Sequence, residues 1–83
     1  MSVENEIRQR LEAAFAPSRL DVVNESHKHA GHSGDDGTGE SHFAVLIRAD
    51  VFAPMGRVQR HRAVQKALGD INTRVHALAL DIG

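Results

Sequence analysis

The sequence predicts an α+β domain whose elements follow the order α-β-β-α-β. Two segments, one at the start of the chain and one in its second half, repeat apolar residues at helical spacing. In three other segments, apolar residues recur at every second position, as on one face of a strand. A strand, a helix and a further strand in succession favour a right-handed parallel crossover. We therefore expect a three-stranded mixed sheet with both helices on one face.

The first helix is predicted to run from about Val3 to Phe15. Its apolar residues recur at helical spacing: Val3, Ile7, Leu11, Ala14 and Phe15. Ser2 can cap the first turn, where acidic residues suit the positive end of the helix dipole. Pro17 follows, and its ring and missing N–H oppose any continuation of the helix.

The first two strands are predicted over residues 20–26 and 41–48 as an antiparallel hairpin. Between them, residues 27–40 have no apolar periodicity and are rich in glycine. Three of the six histidines stand at the start of this segment, and a fourth follows it: His27, His29, His32 and His42. Such a long connection is uncommon in a small domain and is usually functional or disordered.

The second helix is predicted from about Gly56 to Asn72, with Gly69 weakening its last turn, and the third strand from Val75 to Ile82. One histidine interrupts the apolar stripe of the helix: Val58, His61, Val64, Leu68 and Ile71. Four basic residues flank that stripe: Arg57, Arg60, Arg62 and Lys66. In the third strand, alternate positions share one face: His76, Leu78, Leu80 and Ile82.

Length and composition limit the possible classes of protein. Eighty-three residues suit a single small domain, predicted over residues 1–83. Without cysteine, neither a disulfide framework nor a complete zinc–thiolate site can form within the chain. A formal net charge of −1 gives little support for non-specific nucleic-acid binding. No signal-peptide pattern or long apolar stretch is present, so we expect a cytoplasmic protein.

The predicted topology brings histidines to one edge of the sheet. Residues 27–40 join the end of the first strand to the start of the second, and a parallel third strand begins at the same edge. His76 can therefore approach the other histidines there, namely His27, His29, His32 and His42. Neutral imidazole is a common ligand of zinc, copper and iron. The alternatives are a solvated loop and a His76 that is hydrogen-bonded to the backbone.

The basic residues of the second helix are a second candidate site. The planar guanidinium of arginine donates paired hydrogen bonds to phosphate, and a basic helix flank can follow a nucleic-acid backbone. The alternative, a solvated helix face, agrees better with the net charge. No nucleophile–base pair or phosphate-binding glycine loop is evident, so we predict that the protein is not an enzyme.

Four short motifs, in this order and spacing, resemble the BolA family. They are Val23-Asn24-Glu25-Ser26 followed by His29, Glu40-Ser41-His42-Phe43, Arg60-His61-Arg62-x-Val64 and Val75-His76-Ala77-Leu78. The resemblance extends over nearly the whole chain. It implies the α-β-β-α-β fold of that family, which is similar to a type-II KH domain.

The resemblance implies partnership with a monothiol glutaredoxin in binding or transferring a [2Fe-2S] cluster, a role in iron–sulfur maturation and iron homeostasis. His76 would be one iron ligand and His29 of the loop the second, with His32 as an additional candidate. The remaining ligands would be thiolates of glutaredoxin and glutathione. No cofactor is therefore expected in the isolated protein.

The resemblance also implies an alternative function, DNA-binding transcriptional regulation in stress response and cell morphology. KH domains bind nucleic acid with a GxxG loop, but the segment before the second helix reads Pro54-Met55-Gly56-Arg57. DNA contacts would instead rest on basic side chains: Arg57, Arg60, Arg62 and Lys66, with Lys28 of the loop.

Overall fold

The structure, a computed structural model, describes residues 2–25 and 42–83. Its elements are α1 (Val3–Phe15), β1 (Arg19–Asn24), β2 (His42–Arg48), a 3-10 turn (Asp50–Phe52), α2 (Arg57–Leu68), α3 (Ile71–Arg74) and β3 (Ala77–Ile82). The sheet order is β1-β2-β3, with β1 antiparallel and β3 parallel to β2. The predicted α+β fold and mixed sheet are confirmed. Within the described ranges, no helix is long and apolar enough to cross a membrane.

The bounds of α1 agree with the prediction. The hydroxyl of Ser2 accepts a hydrogen bond from the N–H of Asn5 at 3.2 Å, which satisfies one free donor of the first turn. The helix ends where Ala16 adopts a left-handed conformation, with φ of 47°. Ile7 and Leu11 are fully buried, and they fix the inward face of the helix.

The core lies between the helices and one face of the sheet. Alternate residues of β2 are buried on that face, as predicted: Phe43, Val45 and Ile47. They form one apolar cluster with the inward residues of the helices: Ile7, Leu11, Val64, Leu68 and Ile71. The ring of Phe52 is fully buried and lies 4.9 Å from that of Phe15. The 3-10 turn therefore packs against the end of α1.

The second helix is shorter than predicted. It ends at Leu68, because Gly69 adopts φ of 56°, a conformation that interrupts an α-helix and is easiest for glycine. The separate turn of α3 then begins at Ile71. The side-chain amide of Asn72 donates to two carbonyl groups at the end of α2, at 2.7 and 2.9 Å. The chain therefore changes direction before it enters β3.

Two further details differ from the prediction. Val58 is 60% exposed, so the buried stripe of α2 does not extend to its first turn. At position 58 the side chain points well away from the direction of Val64, given 100° of rotation per residue. The strands are also shorter, since β1 ends at Asn24 and β3 begins at Ala77.

Candidate functional site

Two histidines meet at one edge of the sheet. His42 is the first residue of β2, and His76 directly precedes β3, where Ala77 pairs with His42. Their ring centroids are 5.3 Å apart, with an angle of 49° between the ring planes. The predicted approach of His76 to His42 is confirmed. It follows from the parallel pairing, which places the starts of β2 and β3 side by side.

The environments of these two imidazoles differ. His42 is buried, whereas His76 is exposed. No hydrogen bond joins the His76 imidazole to any residue of 2–25 or 42–83. The alternative role of His76, a histidine fixed to the backbone, is therefore not seen in this part of the chain. An exposed imidazole without such a bond can offer a ring nitrogen to a metal or to a partner.

The described residues on either side of 26–41 meet at this edge. The N–H of Glu25 donates to the carbonyl of His42 at 2.8 Å, so the described chain stops and resumes beside the histidine pair. The predicted ligands His29 and His32 lie outside the described residues, as does His27. Among the described residues, no group of three or more potential metal ligands is found. The described residues alone therefore do not form a metal site.

Four charged side chains fix the segment that leads into His76. The guanidinium of Arg74 donates to both carboxylate oxygens of Glu6 at 2.9 and 2.8 Å. Arg10 donates to the Asp70 carboxylate at 2.8 Å and also to the carbonyl of Leu68. This network, Glu6–Arg10–Asp70–Arg74, ties α3 to α1. It therefore restrains the backbone two residues before His76.

The network lowers the pKa of its two carboxylic acids. The hydrogen bonds from Arg74 are the main cause that lowers the pKa of Glu6 below its ordinary value of 4.5. A hydrogen bond from Arg10 is the main cause that lowers the pKa of Asp70 below 3.8. Both carboxylates therefore remain ionised at neutral pH, and the restraint on α3 persists there.

The four predicted basic residues do not form one surface. Arg57 and Arg60 line a groove of about 580 Å³ between α2 and β3, together with Met55, His61, Leu80 and Ile82. Arg62 lies on the other side of His61, where a shallower depression also includes Arg57. Lys66 is exposed and lines neither. The predicted basic flank is therefore divided between faces of α2.

Two side chains that line the groove, Arg60 and His61, make local hydrogen bonds to the backbone. The Nε of Arg60 donates to the carbonyl of Phe52 at 3.0 Å, which joins α2 to the 3-10 turn. The Nδ1 of His61 lies 3.2 Å from the carbonyl of Arg57, one helical turn earlier. His61 is thus a hydrogen-bonded histidine. Arg60 has a structural role that its sequence position did not reveal.

The sequence analysis missed two features around this site. One is the ion pair between Glu6 and Arg74, which are 68 residues apart in the chain. No spacing rule can identify such a pair, although acidic residues at the start of α1 were noted. The other is the groove beside β3. The alternating apolar residues Leu80 and Ile82 of the third predicted strand were the available signal for it.

Comparisons with known proteins agree with this fold. A family model described as "BolA-like protein" matches residues 11–82. The chain is 49% identical over 83 residues to an uncharacterised protein in the cobS 5′ region of a Sinorhizobium species, covering 98% of this chain and 89% of that protein. It is 40% identical over 81 residues to the DNA-binding transcriptional regulator BolA of Escherichia coli K12, covering 96% and 73%.

Solved structures share the fold. The BolA domain of SufE1 from Arabidopsis thaliana superposes with a TM-score of 0.82 at 35% identity, covering 99% of this chain and 91% of that one. BolA1 from the same plant superposes with a TM-score of 0.81 at 34% identity, covering 95% and 87%. The similarity therefore includes both helical and strand elements around the histidine pair.

Proposed function

Because this chain belongs to the BolA family, as the match over residues 11–82 establishes, we propose that it partners a monothiol glutaredoxin and shares a [2Fe-2S] cluster with it. In this proposal His76 is one iron ligand and His29 is the second. The observation that carries the proposal is the state of His76. Its imidazole is exposed, has no hydrogen bond to a described residue, and lies beside His42, where the described chain resumes after residue 41.

The donor groups of the chain fit half of such a site. The chain has no cysteine, so the thiolates that iron–sulfur clusters require must come from glutaredoxin and glutathione. Imidazole nitrogens can replace two thiolates on one iron, and this replacement raises the reduction potential of a cluster. His32 remains the alternative to His29 as the loop ligand.

The described residues around His76 would orient its ring. Arg74 holds the preceding backbone through its paired hydrogen bonds to Glu6. The buried ring of His42 packs against the ring of His76. A ligand whose backbone and ring are both restrained loses less entropy on binding than a free side chain does. These contacts support His76 as a positioned donor.

The test is to mix the protein with cluster-loaded monothiol glutaredoxin and to record visible absorption and circular dichroism. We expect the spectrum to change on mixing, since imidazole replaces other ligands of iron. His76→Ala should diminish that change, whereas His61→Ala, which also removes one imidazole, should preserve it. His29→Ala and His32→Ala identify the loop ligand. An unchanged spectrum on mixing, or the same change with His76→Ala, would contradict the proposal.

DNA binding is the second candidate function. The name of the Escherichia coli relative, DNA-binding transcriptional regulator BolA, supports it, as do the exposed cations Arg57, Arg62 and Lys66 on α2. Binding carried by these residues should weaken steeply with salt, and Arg62→Ala should reduce the salt slope by about 1. Arg19→Ala, which removes an exposed arginine of β1, is the control. Absent or salt-insensitive binding near physiological ionic strength would reject this function.

A further inference from the structure

The outer edge of β3 is open among the described residues. Within residues 2–25 and 42–83, β3 pairs only with β2, and Leu78, Leu80 and Ile82 are half-buried although they point toward the helices. The sole charged residue of β3, Asp81, is on the opposite face and is paired with Arg48 at 3.0 Å. Natural proteins usually protect edge strands with lysine, proline or a bulge. β3 has neither lysine nor proline.

The backbone of β3 presents hydrogen-bonding groups to this edge. The N–H of Gly83 donates to Ile47 at 3.0 Å, and its carbonyl accepts from Ala49 at 3.2 Å, so both groups of Gly83 face β2. Successive residues of a strand direct these groups to opposite sides. The N–H and C=O of Ile82, Leu80 and Leu78 therefore face outward. No residue within the described ranges bonds them there.

The groove described above lies against the same edge. Its apolar part is formed by Met55, Leu80 and Ile82, and its polar part by Arg57, Arg60 and His61. No aspartate or glutamate lines it. Arg60 uses its Nε for the carbonyl of Phe52, which leaves its terminal nitrogens for other acceptors. The groove thus combines a small apolar surface with two guanidinium groups.

We propose that the β3 edge and this groove bind an extended acidic peptide segment of a partner protein by strand addition. The peptide backbone pairs with the outward groups of Leu80 and Ile82. On its helix-facing side, one apolar side chain packs over Met55, and a carboxylate two residues away pairs with Arg57 and Arg60. Main-chain hydrogen bonds give such complexes affinity, and alternate side chains give them specificity.

The observations favour a peptide over nucleic acid for this groove. Peptide groups that no described residue bonds, together with aliphatic side chains, match an extended polypeptide. Among the described residues, the only ring in the groove is the imidazole of His61, which is hydrogen-bonded to its own helix. The groove also lies away from the histidine pair, since Ile82 is roughly 20 Å along the chain from His76 at about 3.3 Å per residue. This inference therefore goes beyond the cluster proposal, and either can fail alone.

A labelled heptapeptide tests the inference: acetyl-Thr-Val-Thr-Leu-Thr-Glu-Thr-amide with a fluorescent tag. Binding to the full chain is followed by fluorescence anisotropy, and amide hydrogen exchange is followed by NMR. We expect slower exchange at Leu80 and Ile82. Ala79 and Asp81 face β2, so their exchange should remain unchanged. Arg57→Glu should weaken binding about fivefold or more, as expected for reversal of a partly exposed ion pair.

Two protein variants and two altered peptides are the controls. Arg62→Glu makes the same charge change outside the groove and should leave peptide affinity unchanged, as should His76→Ala. A peptide with lysine in place of glutamate, and one N-methylated at alternate residues, should both lose affinity. Absence of binding at millimolar peptide, or equal binding of the N-methylated peptide, would overturn the inference. A sedimentation experiment that shows a dimer closed through the β3 edge would also overturn it. So would slower amide exchange at the groove with DNA but not with the peptide.

Discussion

Arg74 and His76 are two residues apart, yet their side chains have opposite roles. Arg74 donates three hydrogen bonds to carboxylates of α1 and of the α2–α3 turn, whereas the imidazole of His76 has none to a described residue. The contrast shows how a small domain can present an exposed imidazole. The backbone is restrained through a neighbouring residue, and the imidazole itself is not hydrogen-bonded to a described residue. Substitutions can change the restraint or the imidazole separately.

The largest loss of stability should follow a change in the core beneath Arg74. Ile71 begins α3 and is fully buried, so Ile71→Ala removes buried methyl groups and leaves a cavity. We expect the free energy of unfolding to fall by about 2–5 kcal/mol. Urea denaturation measures it. Val58→Ala, which shortens an exposed residue of α2, should change it by only about 0.5 kcal/mol or less.

Loss of Arg74 itself should destabilise the protein less than loss of Ile71. Arg74→Ala removes the paired hydrogen bonds to Glu6, and Arg74→Lys restores the charge without the planar geometry. We expect the thermal midpoint to fall from wild type to the lysine variant and further to the alanine variant. The differences between these midpoints should be smaller at high salt. Arg62→Ala controls for loss of an exposed arginine. Identical midpoints for all variants would mean that the network does not restrain α3.

The network should also make stability depend on pH below neutrality. The pKa of Glu6 is lower in the folded chain than its ordinary value of 4.5, and that of Asp70 is lower than 3.8. Both contributions are therefore complete above those values and are lost as pH falls through the lower folded pKa values. The stability difference between wild type and Glu6→Gln should shrink below about pH 4.5. A difference that grows on acidification would contradict this assignment.

The smallest effect on stability should follow removal of His76. Its imidazole is exposed and has no hydrogen bond to a described residue, so His76→Ala should change the free energy of unfolding by about 0.5 kcal/mol or less. His42→Ala is the contrasting variant, because that ring is buried and its loss should destabilise more. Chemical denaturation of both variants measures the difference. Equal destabilisation by the two variants would mean that His76 stabilises the fold, which would contradict its assignment as a donor with no structural role.

Much of the fold can be predicted from the spacing of residues along the chain. The periodicity and the cap of α1 predict its bounds, and the right-handed crossover rule predicts that β3 runs parallel to β2. That pairing in turn predicts the approach of His76 to His42, because parallel strands begin at the same edge. These features depend on spacing along the chain or on chirality, which a single sequence contains.

Other features depend on contacts between distant residues. The break at Gly69 was predicted only as a weak turn, because its left-handed conformation is stabilised by partners such as Asn72. The hydrogen bond from Arg60 to the carbonyl of Phe52 could not be predicted without the position of the 3-10 turn. The division of the basic residues between two faces of α2 could not be predicted without knowing how α2 packs against β3. The predicted ligands His29 and His32 lie outside the described residues and remain predictions.

The central claim is that an imidazole of this chain binds iron in the shared cluster. The most direct measurement labels only this protein with ¹⁵N-histidine, adds unlabelled cluster-loaded glutaredoxin, reduces the cluster and records pulsed electron paramagnetic resonance. The account predicts nitrogen couplings that change with the label, with His76→Ala removing one of them and His61→Ala removing none. Couplings that do not respond to the label, or that persist in full with His76→Ala, would contradict it.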